Sequence, residues 1–373
     1  MVIDRRRPIA GRQPYTVTNG LPDMNCSNPP GYQYRFFPSG MQMLMIDCEI
    51  FITEEKMTAY TLNNGIKSRP VKDESDYWKA RELLIETWPI VGPNWNWDVR
   101  RWDGSYHHNE FSGWDARWGE GGKFVRIWET DGGKIVGVAN PEGKGDAYLQ
   151  IHPDFRNEIE EDMIEWAERN LARPKEGETA PRLVVFVWDY DEPRQAILSD
   201  RGYEKTDVWE VNRHLRFGNR KYPRPDIEEG YSLHTLDPDA PDEFQKFADL
   251  LNAAFGRAFH TAREVENFVR NSPSYRRDLD LLAVAPDGTF AANVGMIYEE
   301  RYRYGLYEPV CTHPDHRRKG LAGFLMYEGL HRVRELGATD LYVGTGPMEA
   351  ANAFYRTLGF TEVYKGYFWK KYV

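Results

Sequence analysis

Cysteine is scarce in this sequence: Cys26, Cys48 and Cys311 are the whole complement of 373 residues. An odd count without metal-like spacing excludes a disulfide framework and a cysteine-rich metal knuckle, and it predicts free thiols in a reducing, cytoplasmic setting. Long apolar runs are missing too. No stretch approaches the ~18 residues of a membrane span, and Arg5-Arg6-Arg7 has no apolar segment behind it, so the start does not read as a signal peptide. Positive charge is in deficit, with 48 Lys and Arg against 58 Asp and Glu. That balance argues against nucleic acid and anionic membrane as partners, because both reward a positive surface. A Walker-type phosphate loop and a Gly-x-Gly-x-x-Gly fingerprint are also absent. What is plentiful is apolar and aromatic side chain, 41% and 14% of the chain, enough to fill two or three cores.

The most informative stretch runs from Leu306 to Tyr327. Leu306, Tyr307 and Val310 suit a buried strand, which His313-Pro314-Asp315 ends because proline cannot donate to a ladder. Arg317-Arg318-Lys319-Gly320 follows and leads into a helical pattern of Leu321, Phe324, Leu325, Leu330 and Val333. A strand, a basic glycine-containing turn and a helix N-terminus together make an anion cradle. Glycine allows close backbone approach, the first N–H groups of the helix point outward, and the dipole and flanking cations favour a diphosphate.

Arg317-x-x-Gly320-x-Ala322 resembles the pyrophosphate-binding signature of the GNAT superfamily of acyl-CoA N-acyltransferases. Downstream, Leu341 to Gly344 reads as a strand. The run Ala351 to Phe360, with Phe354-Tyr355 ahead of Gly359-Phe360, is similar to the closing motif of that family. The resemblance implies a mixed α/β fold, two tandem GNAT-like domains whose element order is β-α-α-β-β-β-α-β-α-β. It extends to tandem-GNAT enzymes including mycothiol-synthase-like proteins.

Internal comparison supports the tandem reading. His152-Pro153-Asp154-Phe155-Arg156 echoes His313 to Arg317, and Arg201-Gly202-Tyr203 echoes Leu358-Gly359-Phe360. The copies differ where chemistry would sit. Ile159 and Glu161 stand for Gly320 and Ala322, within a run of four carboxylates (Glu158, Glu160, Glu161, Asp162), and Leu198 stands for Tyr355. A β-branched side chain and like-charge repulsion both oppose a diphosphate there. The expected organisation is an extension at 1–56, a degenerate GNAT-like domain at 57–222 and a catalytic GNAT domain at 223–373. The extension reads either as a segment packed on the domain behind it or as an upstream stretch before a start near Met57. An exposed basic linker is expected from Phe217 to Glu229.

Between Trp88 and Trp118 lies a stretch rich in tryptophan, including Trp95, Trp97, Trp102 and Trp114, with His107-His108 inside it. It reads as packing of a long insertion or a domain interface, with the aromatic wall of a substrate site as the alternative. The two histidines lack a third ligand at useful spacing, so no metal is expected.

The resemblance also implies roles. Acetyl-CoA would be the co-substrate, held by Val310, Cys311 and Thr312 along its pantetheine arm and by Arg317, Arg318, Lys319, Gly320, Leu321, Ala322 and Gly323 at its diphosphate. Tyr355 matches the family's general acid, which protonates the leaving thiolate. An ammonium acceptor must lose a proton before attack, and Glu308 is the nominated base, with Glu299 and Glu300 as rivals. Cys311 as a covalent nucleophile is set aside, because no histidine is clearly paired with it. The expected activity is transfer of acetyl to a primary amine of a small molecule, by a monomer or homodimer. An acyl-CoA-binding regulatory pseudoenzyme and a peptide or protein N-acetyltransferase are the alternatives.

Overall fold

A computed structural model describes residues 59–62, 65–91, 95–114 and 122–373. The extension at 1–56, with its expected strand from Met41 to Thr53, and Trp118 lie outside the described residues. The first set of elements is β1 (Tyr60–Thr61), β2 (Lys67–Pro70), α1 (Glu74–Val91), α2 (Val99–His107), β3 (Arg126–Glu129), β4 (Ile135–Asn140), β5 (Asp146–Ile151), α3 (Arg156–Leu171), β6 (Arg173–Pro174), β7 (Pro181–Trp188), α4 (Glu192–Asp200) and β8 (Glu204–Arg216). The second set is β9 (Ser232–Thr235), α5 (Pro241–Phe255), α6 (Ala262–Asn271), β10 (Asp280–Val284), β11 (Phe290–Glu299), β12 (Tyr304–Thr312), α7 (Leu321–Glu335), β13 (Asp340–Thr345), α8 (Glu349–Leu358) and β14 (Glu362–Tyr372). Leaving aside β1 and the short β6, both sets run β-α-α-β-β-β-α-β-α-β. The tandem repeat read from the sequence is present in the backbone.

All the strands join one mixed sheet, in the order β1-β2-β3-β4-β5-β7-β14-β8-β13-β12-β11-β10-β9, with β6 beside β7. The repeats are not laid side by side. Each gives up its last strand to the other: β14 pairs with β7 of the first repeat, and β8 pairs with β13 of the second. The two exchanged strands then pair with each other, antiparallel. At this seam, both ring nitrogens of His214 in β8 meet carboxylates, Nε2 that of Asp340 at 2.7 Å and Nδ1 that of Glu362 at 2.8 Å. Its ring stacks on Tyr342 at 4.4 Å.

Helices cover both faces of the sheet. Leu325, Leu330 and Val333 of α7 and Tyr355 and Leu358 of α8 pack on Leu281, Val294, Tyr307, Leu341 and Val343. Phe244, Leu251 and Val265 of α5 and α6 pack on the opposite face, with Leu282 and Cys311. A third cluster joins the repeats: Leu83, Trp97, Trp102, Tyr106 and Trp114 meet Ile297, Tyr304, Leu306 and Tyr342. Trp88, Trp97, Trp102 and Trp114 are therefore interface packing, while Trp95 packs in a separate cluster with Ile151, Ile159 and Met163. Two expectations need correction. The spacing of Trp78, Leu83, Leu84 and Trp88 predicts one buried face for a helix from Asp73 to Thr87, but Trp78 is exposed, and Tyr77, Ala80, Leu83 and Leu84 form that face instead. The segment after β8 was expected to be exposed, yet Phe217 and Tyr222 anchor it in the second repeat's core.

Gly366 of β14 sits under the Phe186 ring, and a Cβ there would meet the Val187 carbonyl oxygen at 2.9 Å. Gly366→Val is therefore expected to destabilise the chain by about 1–3 kcal/mol, the usual range for overpacking. The check is a lower urea midpoint at unchanged slope. An unchanged midpoint would mean that β14 does not lie against β7.

Candidate active site

β12 pairs with β13 in parallel from Tyr304↔Asp340 to Tyr307↔Val343, and there the pairing stops. On its other side β12 stays paired with β11 as far as Thr312↔Ala292, with a register shift between Val294 and Met296. A bulge of this kind bends the strand and increases its twist. The segment from Glu308 to Thr312 thus leaves β13 with one backbone edge free of it. Val310 packs toward the α7 side and Cys311 toward the α5 side, as strand alternation requires.

The chain from the end of β12 to α7 forms the expected turn. Gly320 is the residue before the helix and has φ +74°, and Arg318 is left-handed as well, with φ +64°. A non-glycine residue in that region is uncommon and costs energy, which marks a backbone shaped for a purpose. The first backbone bond of α7 runs from Phe324 N–H to Gly320 C=O at 2.9 Å. Ahead of it, the N–H groups of Arg318 to Gly323 have no backbone partner among the described residues, as expected before the first helical bond. Arg318, Lys319 and Gly320 are exposed, and a Cβ on Gly320 would meet no protein atom within 4 Å. The space over the turn is open. Arg317 is partly committed elsewhere, donating to the carbonyls of Ala254 at 3.1 Å and Thr312 at 3.4 Å, so it braces the turn against α5. Leu321 is buried in the core below, while Ala322 and Gly323 are half-buried.

α8 approaches the same turn: a Cβ on Gly323 would lie 3.8 Å from the Phe354 ring. The neighbouring Tyr355 is buried, and its hydroxyl has no hydrogen-bond partner among the described residues. Burial pushes this phenol up to about 12, and the nearby Cys311 thiol adds to the shift. Cys311 is itself pushed up to about 12, mainly by burial. At neutral pH both groups keep their protons. Tyr355 Oη thus carries its proton, and Cys311 lacks the thiolate that a nucleophile needs.

Glu308 is exposed at the point where β12 leaves β13. Its rivals Glu299 and Glu300 lie at the far end, by the turn between β11 and β12, where Glu299 accepts from Tyr302 N–H at 2.8 Å. Sequence reasoning missed Asp98. It caps α2, accepting from Arg101 N–H at 2.9 Å, and is buried. Burial raises its carboxyl to about 6, with the charge of Glu308 contributing next. Glu210 of β8 is raised by burial as well, with Glu142 and Glu308 adding to the shift against Arg101. Arg101 pairs with Glu142, and its guanidinium lies 4.7 Å from the ring centres of both Trp97 and Tyr148. Asp98, Glu142, Glu210 and Glu308 therefore form one interacting carboxylate group drawn from both repeats. The only local signal for Asp98 was an acid immediately before a helix, next to a tryptophan.

The first repeat has no counterpart of the turn. After His152-Pro153-Asp154-Phe155 the chain enters α3 directly at Arg156, so Ile159 and Glu161 lie within helix. Arg156 is turned inward, pairing with Glu160 and, at 2.6 Å, with Asp191. Glu160 also binds Arg194, and Asp162 accepts from Trp128 Nε1 at 2.7 Å. Repulsion by four carboxylates was expected here; two of them are instead spent on internal partners. Leu198 is buried where the second repeat has Tyr355.

The state of Cys311 can be checked directly. Native protein treated with iodoacetamide at pH 8 is expected to leave the Cys311 peptide unmodified by mass spectrometry, and unfolding is expected to expose it. Rapid labelling of the native chain would contradict the burial.

Residues 244–360 match the sequence profile of the acetyltransferase (GNAT) family. Among solved structures, a tandem GNAT protein from the clavulanic acid biosynthesis pathway aligns with TM-score 0.56 at 18% identity, over 82% of this chain and 98% of its own. A GCN5-related N-acetyltransferase from Sphaerobacter thermophilus aligns with TM-score 0.53 at 17% identity, over 84% and 97%. A GNAT-family acetyltransferase from Colwellia psychrerythraea aligns with TM-score 0.52 at 12% identity, over 82% and 99%. No curated protein matches by sequence. Likeness at such identities is likeness of fold. The profile match falls on the repeat that carries the open turn, so the chain bears a GNAT acetyltransferase-family domain at 244–360 and has the tandem GNAT fold.

Proposed function

We propose that the second repeat is the catalytic domain and the first a degenerate copy, and that the protein transfers an acyl group, most simply acetyl from acetyl-CoA, to a primary amine of a small molecule. The observation that carries this reading is the exposed turn from Arg317 to Gly320, with two left-handed residues and unpaired N–H groups at the start of α7. A diphosphate fits it by charge and by donor geometry. The edge of β12 that β13 leaves free would pair with the amides of the pantetheine arm and lead the thioester toward Cys311 and Tyr355.

The chemistry then divides between two proton sites. A carboxylate of the Asp98–Glu308 pair takes the proton from the acceptor ammonium, and the free amine attacks the thioester carbonyl. As the C–N bond forms and the C–S bond breaks, the leaving thiolate takes the proton of Tyr355 Oη, and the second proton that the nitrogen sheds on becoming an amide restores the phenol. A thiol in this apolar setting holds its proton more tightly than in water, as Cys311 illustrates, which narrows the gap between donor and leaving group. Asp98 lies buried within the field of Glu308, so the two carboxylates are the candidates for the base.

Calorimetric titration of acetyl-CoA is expected to give one site per chain. Gly320→Glu is expected to abolish it, and CoA lacking its 3′-phosphate tests whether that group adds affinity. Two sites would overturn the assignment of the first repeat, and no binding would overturn the enzyme. With an acceptor found by thiol release, Tyr355→Phe is expected to lower kcat about 100-fold or more with little change in KM. The rate should rise with pH through a limb near 6, as Asp98 loses its proton, and Asp98→Asn should displace that limb. A pH profile that Asp98→Asn leaves unchanged would remove Asp98 from the mechanism.

A further inference from the structure

Of the two histidines inside the tryptophan-rich stretch, His108 is brought by folding to two further polar groups. His108 caps the C-terminal end of α2, and the start of α6 comes against it with His260 and Glu264. Their potential ligand atoms all lie within 4.8 Å of one another. Nδ1 of His108 is 2.7 Å from Glu264 Oε1, and Nδ1 of His260 is 3.3 Å from both carboxylate oxygens. The cluster is enclosed rather than spread on a surface. Phe268 lies 5.3 Å from the His108 ring, and Phe259 lies 4.3 Å from the His260 ring. His260 and Glu264 are each 8% exposed.

Ordinary helix capping accounts for part of this. Glu264 and Thr261 form a reciprocal capping box at the start of α6, a device that needs only these two residues. It does not require two imidazoles on the same carboxylate. It also leaves Nε2 of His260 buried with no hydrogen-bond partner. An unsatisfied buried ring nitrogen costs free energy unless it is bonded or coordinated. Two imidazoles and a carboxylate at this spacing are a ligand set of a known kind. A tetrahedral ion with bonds of ~2.1 Å holds its donors roughly 3.4 Å apart, a small adjustment from the present distances. Nitrogen donors favour zinc and its neighbours over magnesium or calcium.

We propose that His108, His260 and Glu264 bind a divalent transition-metal ion of the zinc class, which clamps α2 of the first repeat to α6 of the second. The fourth position is left to water or another ligand. The clamp adds to contacts already linking these helices: Asn267 donates to His107 C=O at 2.6 Å, and the Arg100 guanidinium lies 4.1 Å from the centre of the Phe268 ring. It is separate from acyl transfer, and its test does not require activity.

The full chain is stripped with chelator and dialysed against zinc alone, and bound metal is counted by mass spectrometry. One zinc per chain is expected, together with a rise in Tm over the stripped protein. His108→Asn, which leaves the capping box intact, should lose that zinc. Histidine footprinting with diethyl pyrocarbonate on the unsubstituted protein gives a readout that does not depend on any variant folding. His108 should react in stripped protein and be protected by zinc, while the half-buried His331, which is not part of the cluster, should react equally in both. In cobalt-substituted protein, a thiolate charge-transfer band would place the metal on cysteine and overturn the proposal. Failure to retain zinc, or zinc bound without protection of His108, would overturn it too.

Discussion

The reciprocal exchange of the last strands is the constraint on which the rest of this molecule depends. Without β8, strand β13 would present an open edge beside the point where it parts from β12. Without β14, β7 would present an open edge in the first repeat. Each repeat supplies the strand that completes the other, and His214, between Asp340 and Glu362, sits on that seam. The seam also carries Glu210 of the first repeat into the carboxylate group that includes Glu308 of the second. The sheet is thus both scaffold and the means by which residues from distant parts of the sequence share one environment.

The two repeats show how little backbone separates a binding turn from a closed one. Both reach the end of the strand with His-Pro-Asp and a short 3-10 turn. In one, helix starts at once and the arginine folds back onto Glu160 and Asp191. In the other, four more residues precede the helix, two of them left-handed, and the freed N–H groups face outward. The first arrangement spends its charges on stability. The second leaves them available.

Local pattern made much of this legible. The turn at Gly320, the aromatic pair Phe354-Tyr355 before Gly359, and the echo between His152 and His313 are short-range features whose geometry follows from neighbours in sequence. What escaped was long-range. Nothing near Glu204 to Arg216 says that this strand will cross into the other repeat, because pairing partners are chosen by tertiary fit. Asp98 looked like one acid among tryptophans, since its burial and its proximity to Glu308 exist only once α2 lies against β12. The same holds for His108, whose partners His260 and Glu264 come from another helix. Trp78 and Phe217 failed in the opposite sense. A single amphipathic face was drawn through α1 one residue off, and a basic composition concealed two aromatic anchors after β8.

The inward-turned arginine of the first repeat carries a consequence for how far the two repeats are interchangeable. Arg156 and Arg194 with Glu160 and Asp191 form a mutually neutralised set inside the protein. Removing any one member strands a buried charge, whose penalty is several times larger than a surface pair is worth. Building an open turn here would require inserting residues before α3 and dismantling that set at the same time, and dismantling it one residue at a time leaves a buried charge unpaired. The closed turn is therefore held shut by its charges as well as by its length, and the two repeats are not interchangeable by small steps.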